Sequence, residues 1–159
     1  MNSFSHLNKN NDPIMVDVSN KDITTRVAIA QSTVVVPQEI IDQFHDDDIQ
    51  TKKGSVFQTA ILAGIMGSKK TSDLIPLCHP LMINKSHVEI NINESNEIVI
   101  TCMAKTEGKT GVEMEALTGA SIAALTIYDM CKAFSHNIII KETKLIEKIG
   151  GKSNFRNKE

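Results

Sequence analysis

The stretch GVEMEALTGASIAALTIYDMCKA, residues 111–133, constrains the fold most. It is free of proline, and Met114, Leu117, Ser121, Leu125 and Tyr128 recur on one helical stripe. A helix this long needs a layer to pack against. A second helical stretch, KKGSVFQTAILAGIMGSKK (52–70), repeats Val56, Ala60, Ala63 and Gly67 at spacings of three and four, beside Ile61 and Leu62. That small-residue face permits close packing. The layer itself is legible as strands. TTRVAIAQSTVVV (24–36) is β-branched and partly alternating, and Pro37 then opens a short helix in PQEIIDQFHDD. HVEININ (87–93) puts Val88, Ile90 and Ile92 on one face, and EIVITCMAKT (97–106) does the same with Ile98, Ile100 and Cys102. ESN turns the chain between them, and NIIIKETKLIEKI (137–149) supplies a last strand.

The order strand, two helices, two strands, helix, strand predicts an α+β fold. It is a ferredoxin-like split βαβ sandwich, an antiparallel sheet covered by helices. We expect one domain over residues 15–152. The Asn-, Ser- and Lys-rich residues 1–14 read as a flexible N-terminal tail, and residues 153–159 as a flexible C-terminal tail.

The charge balance is 17 Lys+Arg against 19 Asp+Glu, without the basic excess of a nucleic-acid or membrane-surface binder. There is no Trp and one Tyr, so base-stacking platforms are not expected. Cys78, Cys102 and Cys131 form no CxxC pair, and no apolar run reaches the length of a membrane span. The opening residues carry no apolar secretion-signal core. These features predict a cytoplasmic protein with reduced thiols.

Asp129 and Lys132, three apart in YDMCKA, share a helix face and can pair. Their neighbours Ile127, Met130 and Cys131 are apolar, which suggests a pocket rather than a solvated ion pair. Glu113 and Glu115 stand two apart, at the start of the same helix but on different sides of it. Asp129 lies about 20 Å along the axis from Glu115, so the two ends cannot serve one compact centre in one subunit. Of the cations Arg26, Lys52, Lys53, Lys69, Lys70, Lys109, Lys132, Lys148 and Lys152, several sit at predicted element ends. KKG (52–54) precedes a helix whose N-terminus would favour an anion, although no GxxxxGK[ST] loop is present. PLCHP (76–80) is a stiff connector that fixes His79. Adjacent Cys78 and His79 make a poor metal site, and no His or Cys spacing suggests a better one.

Several of these stretches, DLIPLCHPL (73–81), GKTGVEMEALTGASIAALTIYDMCKA (108–133) and GGKS (150–153), resemble the cyclic pyranopterin monophosphate synthases, the molybdenum cofactor biosynthesis protein C family. MVDVSNK (15–21) and KKGSVFQTAILAGIMGSKKT (52–71) share the resemblance, which runs from about Met15 to Lys152. One position departs from it: Ser72 stands where that family commonly carries a large aromatic residue. The resemblance makes 15–152 a single catalytic domain. It implies conversion of 3′,8-cyclo-7,8-dihydro-GTP, the product of a radical S-adenosylmethionine GTP cyclase, to cyclic pyranopterin monophosphate with release of pyrophosphate. It further implies a homohexamer, a trimer of dimers, with active sites between subunits.

On matched positions, the resemblance makes Asp129, Lys132 and Lys53 catalytic. It places Leu77, Cys78, His79, Glu113, Met114 and Glu115 against substrate, and Arg26, Lys69 and Lys148 around the triphosphate. No cofactor is required, and Mg²⁺ would enter through substrate phosphates. Lys132 and Lys53 would move protons, their pKa lowered by neighbouring cations and partial desolvation. Two other functions fit the same fold class: a non-catalytic nucleotide-binding regulatory oligomer, and a hydrolase using the Cys78 thiol.

Overall fold

A computed structural model describes residues 6–158. Its main sheet has five strands, β1 (Thr24–Val35), β5 (Lys85–Ile92), β6 (Ile98–Gly108), β7 (Ile139–Ile149) and β8 (Phe155–Arg156), in the order β5-β6-β1-β7-β8, all pairs antiparallel. Without the short β8, that is the strand order of the ferredoxin-like fold, as expected. Alternation decides the buried side: Ile98, Ile100, Cys102 and Ala104 of β6 and Ala28, Ala30 and Val34 of β1 are buried. Their neighbours Val27, Ile29, Val99 and Met103 lie on the opposite face, partly exposed.

Two helices cover the buried face. α2 (Val56–Ser68) and α4 (Glu113–Cys131) pack on each other, and α4 lies over β1, β6 and β7. Their backbones meet at Gly64 and Gly119. A Cβ on Gly64 would come within 2.9 Å of the Gly119 carbonyl, and one on Gly119 within 2.5 Å of the Cys102 sulfur. This corrects the stripe read for α4. Met114 and Leu125 are 38% and 55% exposed, whereas the buried face consists of Ala116, Gly119, Ala120, Ala123, Ala124, Ile127, Met130 and Cys131. Small side chains let the backbones meet around Gly119, Ile127 and Met130 fill the core further along, and Met114 and Leu125 face outward. On α2 the small-residue face holds, with Gly64 rather than Ala63 fully buried and Leu62 turned to solvent.

Smaller elements were not anticipated. After α1 (Gln38–Ile41), with Pro37 as its N-cap, comes a three-stranded sheet of β2 (Phe44–His45), β3 (Asp48–Thr51) and β4 (Gly54–Ser55). Asp46 and Asp47, at φ 51° and 63°, form the tight β2–β3 turn, a conformation that Asp tolerates. A one-turn α3 (Thr71–Leu74) precedes the PLCHP loop. Of the expected N-terminal tail, residues 1–5 lie outside the described residues. Residues 6–14 form a hydrogen-bonded loop closed by a Leu7–Pro13 bridge and an Ile14 amide to His6 carbonyl bond of 2.9 Å. Within the C-terminal segment, β8 pairs with β7.

Candidate active site

The N-terminal end of α4 borders a cavity of about 330 Å³, lined by Leu77, Cys78 and His79 of the loop, by Glu113, Met114 and Glu115, and by Val16, Val18 and Lys21. All six candidates from these two segments therefore share one cavity. The Val16–Lys21 contribution was not anticipated from the residues. The segment is extended but outside the sheet, so it carries no periodic signal. It is held by the His79 ring, whose Nε2 lies 2.7 Å from the Val16 carbonyl, and by the Lys109 ammonium, which donates to the Ser19 carbonyl at 2.6 Å. A carbonyl only accepts, so His79 carries its proton on Nε2 and donates it to the Val16 carbonyl.

Two carboxyl groups here have different surroundings. Glu113 is half buried and pairs with Lys148 at 3.0 Å. Glu115 is 4% exposed, and its carboxyl is pushed up to about 7. Burial is the main cause; its own backbone amide pulls the other way, and the Glu113 charge adds to the rise. Burial and then the Glu115 charge also raise the Cys78 thiol. A thiol held protonated beside a carboxyl group is a poor nucleophile, which counts against a Cys78-dependent hydrolase. Cys102 and Cys131 are buried, and both are pushed up to about 11.

A second cavity of about 150 Å³ adjoins the first through Gly111 and Glu113 and is lined by Arg26, Lys148 and Lys152. The Arg26 Nε donates to the Gly108 carbonyl at 3.0 Å, which holds its guanidinium at the rim. Three cations therefore border one small cleft, and one of them, Lys148, is paired with Glu113. Lys69 sits at the C-terminal cap of α2 and lines neither cavity.

The third group of candidates lies at the other end of α4. Lys132 Nζ is 2.6 Å from Asp129 Oδ1, and Lys53 Nζ, from the β3–β4 turn, is 3.3 Å from Asp129 Oδ2. The chain thus brings its three catalytic candidates together. Their setting corrects two expectations. The Asp129 and Lys132 side chains are about half exposed, not pocketed. The Lys132 ammonium is shifted up, not down, because its hydrogen bond to Asp129 favours the charged form. Bonds from Lys132 and then Lys53 hold the Asp129 carboxyl below its ordinary range. The N-terminus of α2 is also not open to an anion. Its Phe57 amide donates to the Asp48 carboxylate at 2.8 Å and its Gln58 amide to the Ser55 hydroxyl at 3.2 Å.

Among the described residues, no three His, Cys, Asp or Glu side chains converge to hold a metal ion, and no helix is long and apolar enough to cross a membrane.

Comparison with known proteins follows the same residues. The model of the MoaC family matches residues 15–151. The cyclic pyranopterin monophosphate synthase of Lysinibacillus sphaericus is 51% identical over 96% of this chain and 96% of its own length. The molybdenum cofactor biosynthesis bifunctional protein of Synechocystis sp. is 54% identical over 94% of this chain, and the match spans 44% of that protein. Molybdenum cofactor biosynthesis protein 1 of Dictyostelium discoideum is 49% identical over 96% of this chain, which corresponds to 27% of that protein.

Proposed function

The chain belongs to the MoaC family, and we propose that it is a cyclic pyranopterin monophosphate synthase, a lyase of molybdenum cofactor biosynthesis. Its substrate is 3′,8-cyclo-7,8-dihydro-GTP. The guanine-derived ring is rearranged to a pterin, a substrate hydroxyl attacks the α-phosphorus, and the bond to the leaving pyrophosphate breaks. The observation that carries the site assignment is the Lys53–Asp129–Lys132 cluster, drawn from two distant parts of the chain.

Each part of the chemistry has a candidate. Asp129, held ionised, orients two ammonium groups that give protons to the ring. Glu115, at about 7, can give or take a proton at neutral pH and faces the cavity of about 330 Å³ proposed for the heterocycle. Leu77, Cys78, His79 and Met114 wall that cavity, with Glu113 at its boundary. Arg26, Lys148 and Lys152 draw the triphosphate into the adjoining cleft and stabilise the charge that develops on pyrophosphate. Lys69 has a weaker claim to that role. Among the described residues, the only carboxylate lining the cleft, Glu113, is already paired with Lys148, so the residues present do not fit a resident metal. Any Mg²⁺ travels on the phosphate oxygens.

In one protomer the proton-transfer cluster stands about 21 Å along α4 from Glu115. That separation favours a site completed by a neighbouring subunit, and likeness to the family favours a homohexamer, a trimer of dimers, in which one subunit's cavity meets its neighbour's Lys53, Asp129 and Lys132. The partly exposed apolar sheet face of Val27, Ile29, Val99 and Met103 favours assembly. The Synechocystis relative, named bifunctional, joins a chain like this one to a further unit. We assign the enzyme a functional pairing with a radical S-adenosylmethionine GTP cyclase that supplies its substrate. Three unpaired cysteines suit work in the reducing cytoplasm.

The test is incubation of the purified protein with the cyclised GTP intermediate, following pterin fluorescence after oxidation together with pyrophosphate release. Wild type forms both products. Lys53→Ala and Asp129→Ala form neither, although both fold; turnover by either variant at the wild-type rate would remove that residue from the mechanism.

A further inference from the structure

Asp48 is a buried carboxylate, 8% exposed, that no reading of the motifs singles out. Its Oδ1 accepts from the Ile49 amide at 2.6 Å and the Phe57 amide at 2.8 Å, and its Oδ2 accepts from the Ser55 hydroxyl. Phe57 is the second residue of α2, and Ser55 is its N-cap. One carboxylate therefore ties the start of β3 to the first turn of α2 and closes the segment between them. That segment is internally fixed as well. The Lys53 amide donates to the Thr51 hydroxyl at 3.1 Å, the Thr51 hydroxyl donates to the Gly54 carbonyl at 3.1 Å, and Gly54 takes a φ of 110° that favours glycine.

The turn carries Lys53, whose ammonium reaches Asp129 at 3.3 Å. Asp48 lies close to that end of α4: its charge adds to the burial that raises the thiol of Cys131, two residues beyond Asp129.

We infer that Asp48 is a positioning residue for Lys53, fixing the Thr51–Ser55 turn so that the lysine meets Asp129, and that it does not touch substrate. This rests on the reading of Lys53 and Asp129 as proton-transfer partners. A carboxylate at a helix N-terminus stabilises the helix whatever follows from it. What separates positioning from stability is how the loss divides between kcat and KM, and whether it runs through Lys53. Lys53 has a long, half-exposed stem, so the direction of its approach is set by the turn beneath it. A displacement of about 1 Å costs on the order of 100-fold in rate.

The experiment measures kcat and KM of the assembled enzyme with the cyclised GTP intermediate, well below the melting temperature of each variant. Asp48→Asn keeps the volume but turns amide hydrogens toward a hydroxyl that needs an acceptor. It lowers kcat about 10- to 100-fold with KM within about twofold, and Asp48→Glu restores part of the loss. In a Lys53→Arg background the same change costs less than about threefold, because both residues act through one element. Should Asp48→Asn fold poorly, Ser55→Ala, which removes the Oδ2 partner, gives a smaller kcat loss in the same direction. An unchanged kcat in Asp48→Asn, or an equal loss with and without Lys53→Arg, overturns the positioning role. Full turnover by Lys53→Ala instead overturns the reading of Lys53 on which that role rests.

Discussion

The buried Glu115 makes stability depend on pH in a direction that can be worked out. Its carboxyl titrates at about 7 in the folded chain and near the ordinary 4.5 in the unfolded one. Between those values the folded chain holds a proton that the unfolded chain has released. The contribution is full below about 4.5, falls as pH rises, and is gone above about 7. The interval of 7 minus 4.5, at about 1.4 kcal/mol per pH unit, amounts to about 3 kcal/mol. Glu115→Gln removes the titration, while any fixed cost of the new amide is the same at every pH. Denaturant unfolding of both proteins at pH 4.5 and pH 8 isolates the effect, at one fixed protein concentration because assembly contributes to stability. The difference between variant and wild type moves in favour of the variant by about 3 kcal/mol from the lower pH to the higher. A movement below about 0.5 kcal/mol, within the error of extrapolation, would refute burial as the cause of the raised pKa.

Two further outcomes follow from the packing and the cavity. Gly119→Ala gains about 0.5–1 kcal/mol in helix propensity but drives a methyl into the buried Cys102 sulfur and the Gly64 carbonyl, at about 1–3 kcal/mol. The net effect is a lower melting temperature by scanning calorimetry, and an unchanged one would mean that α2 and α4 shift apart at little cost. Alkylation of Cys78 by iodoacetamide at pH 8, followed by mass spectrometry, is slower than that of free cysteine and speeds up in Glu115→Gln; a rate equal to free cysteine would contradict the raised thiol.

The main sheet was legible in the sequence because its buried face obeys a period of two over long runs, as in Ile98, Ile100 and Cys102. Helix α4 was legible in extent but not in orientation. Its stripe was read from large residues, whereas the buried face is set by Gly119, Ala120 and Ala123, whose small side chains give a weak hydropathy signal. The sheet of β2, β3 and β4 escaped because its strands are two to four residues long and largely polar. Spacing alone showed that Asp129 and Lys132 can meet, and the resemblance supplied Lys53. Whether their pair is exposed, and so which way the Lys132 pKa moves, depends on how α4 is turned against α2 and the sheet. Asp48 gave no signal at all, since each of its bonds crosses between local elements or ends on backbone amides.

Helix α4 also sets a phase. From Glu115 to Asp129 it makes just under four turns, and on a screw, advance and rotation cannot be changed separately. One residue inserted in that interval would move the far end by only about 1.5 Å but swing it through about 100°, carrying Asp129 away from Lys53 while Glu115 kept its place. Composition in the interval is free to drift wherever a side chain faces solvent. Its residue count is not, because the helix acts as a gear whose two ends engage different parts of the chain.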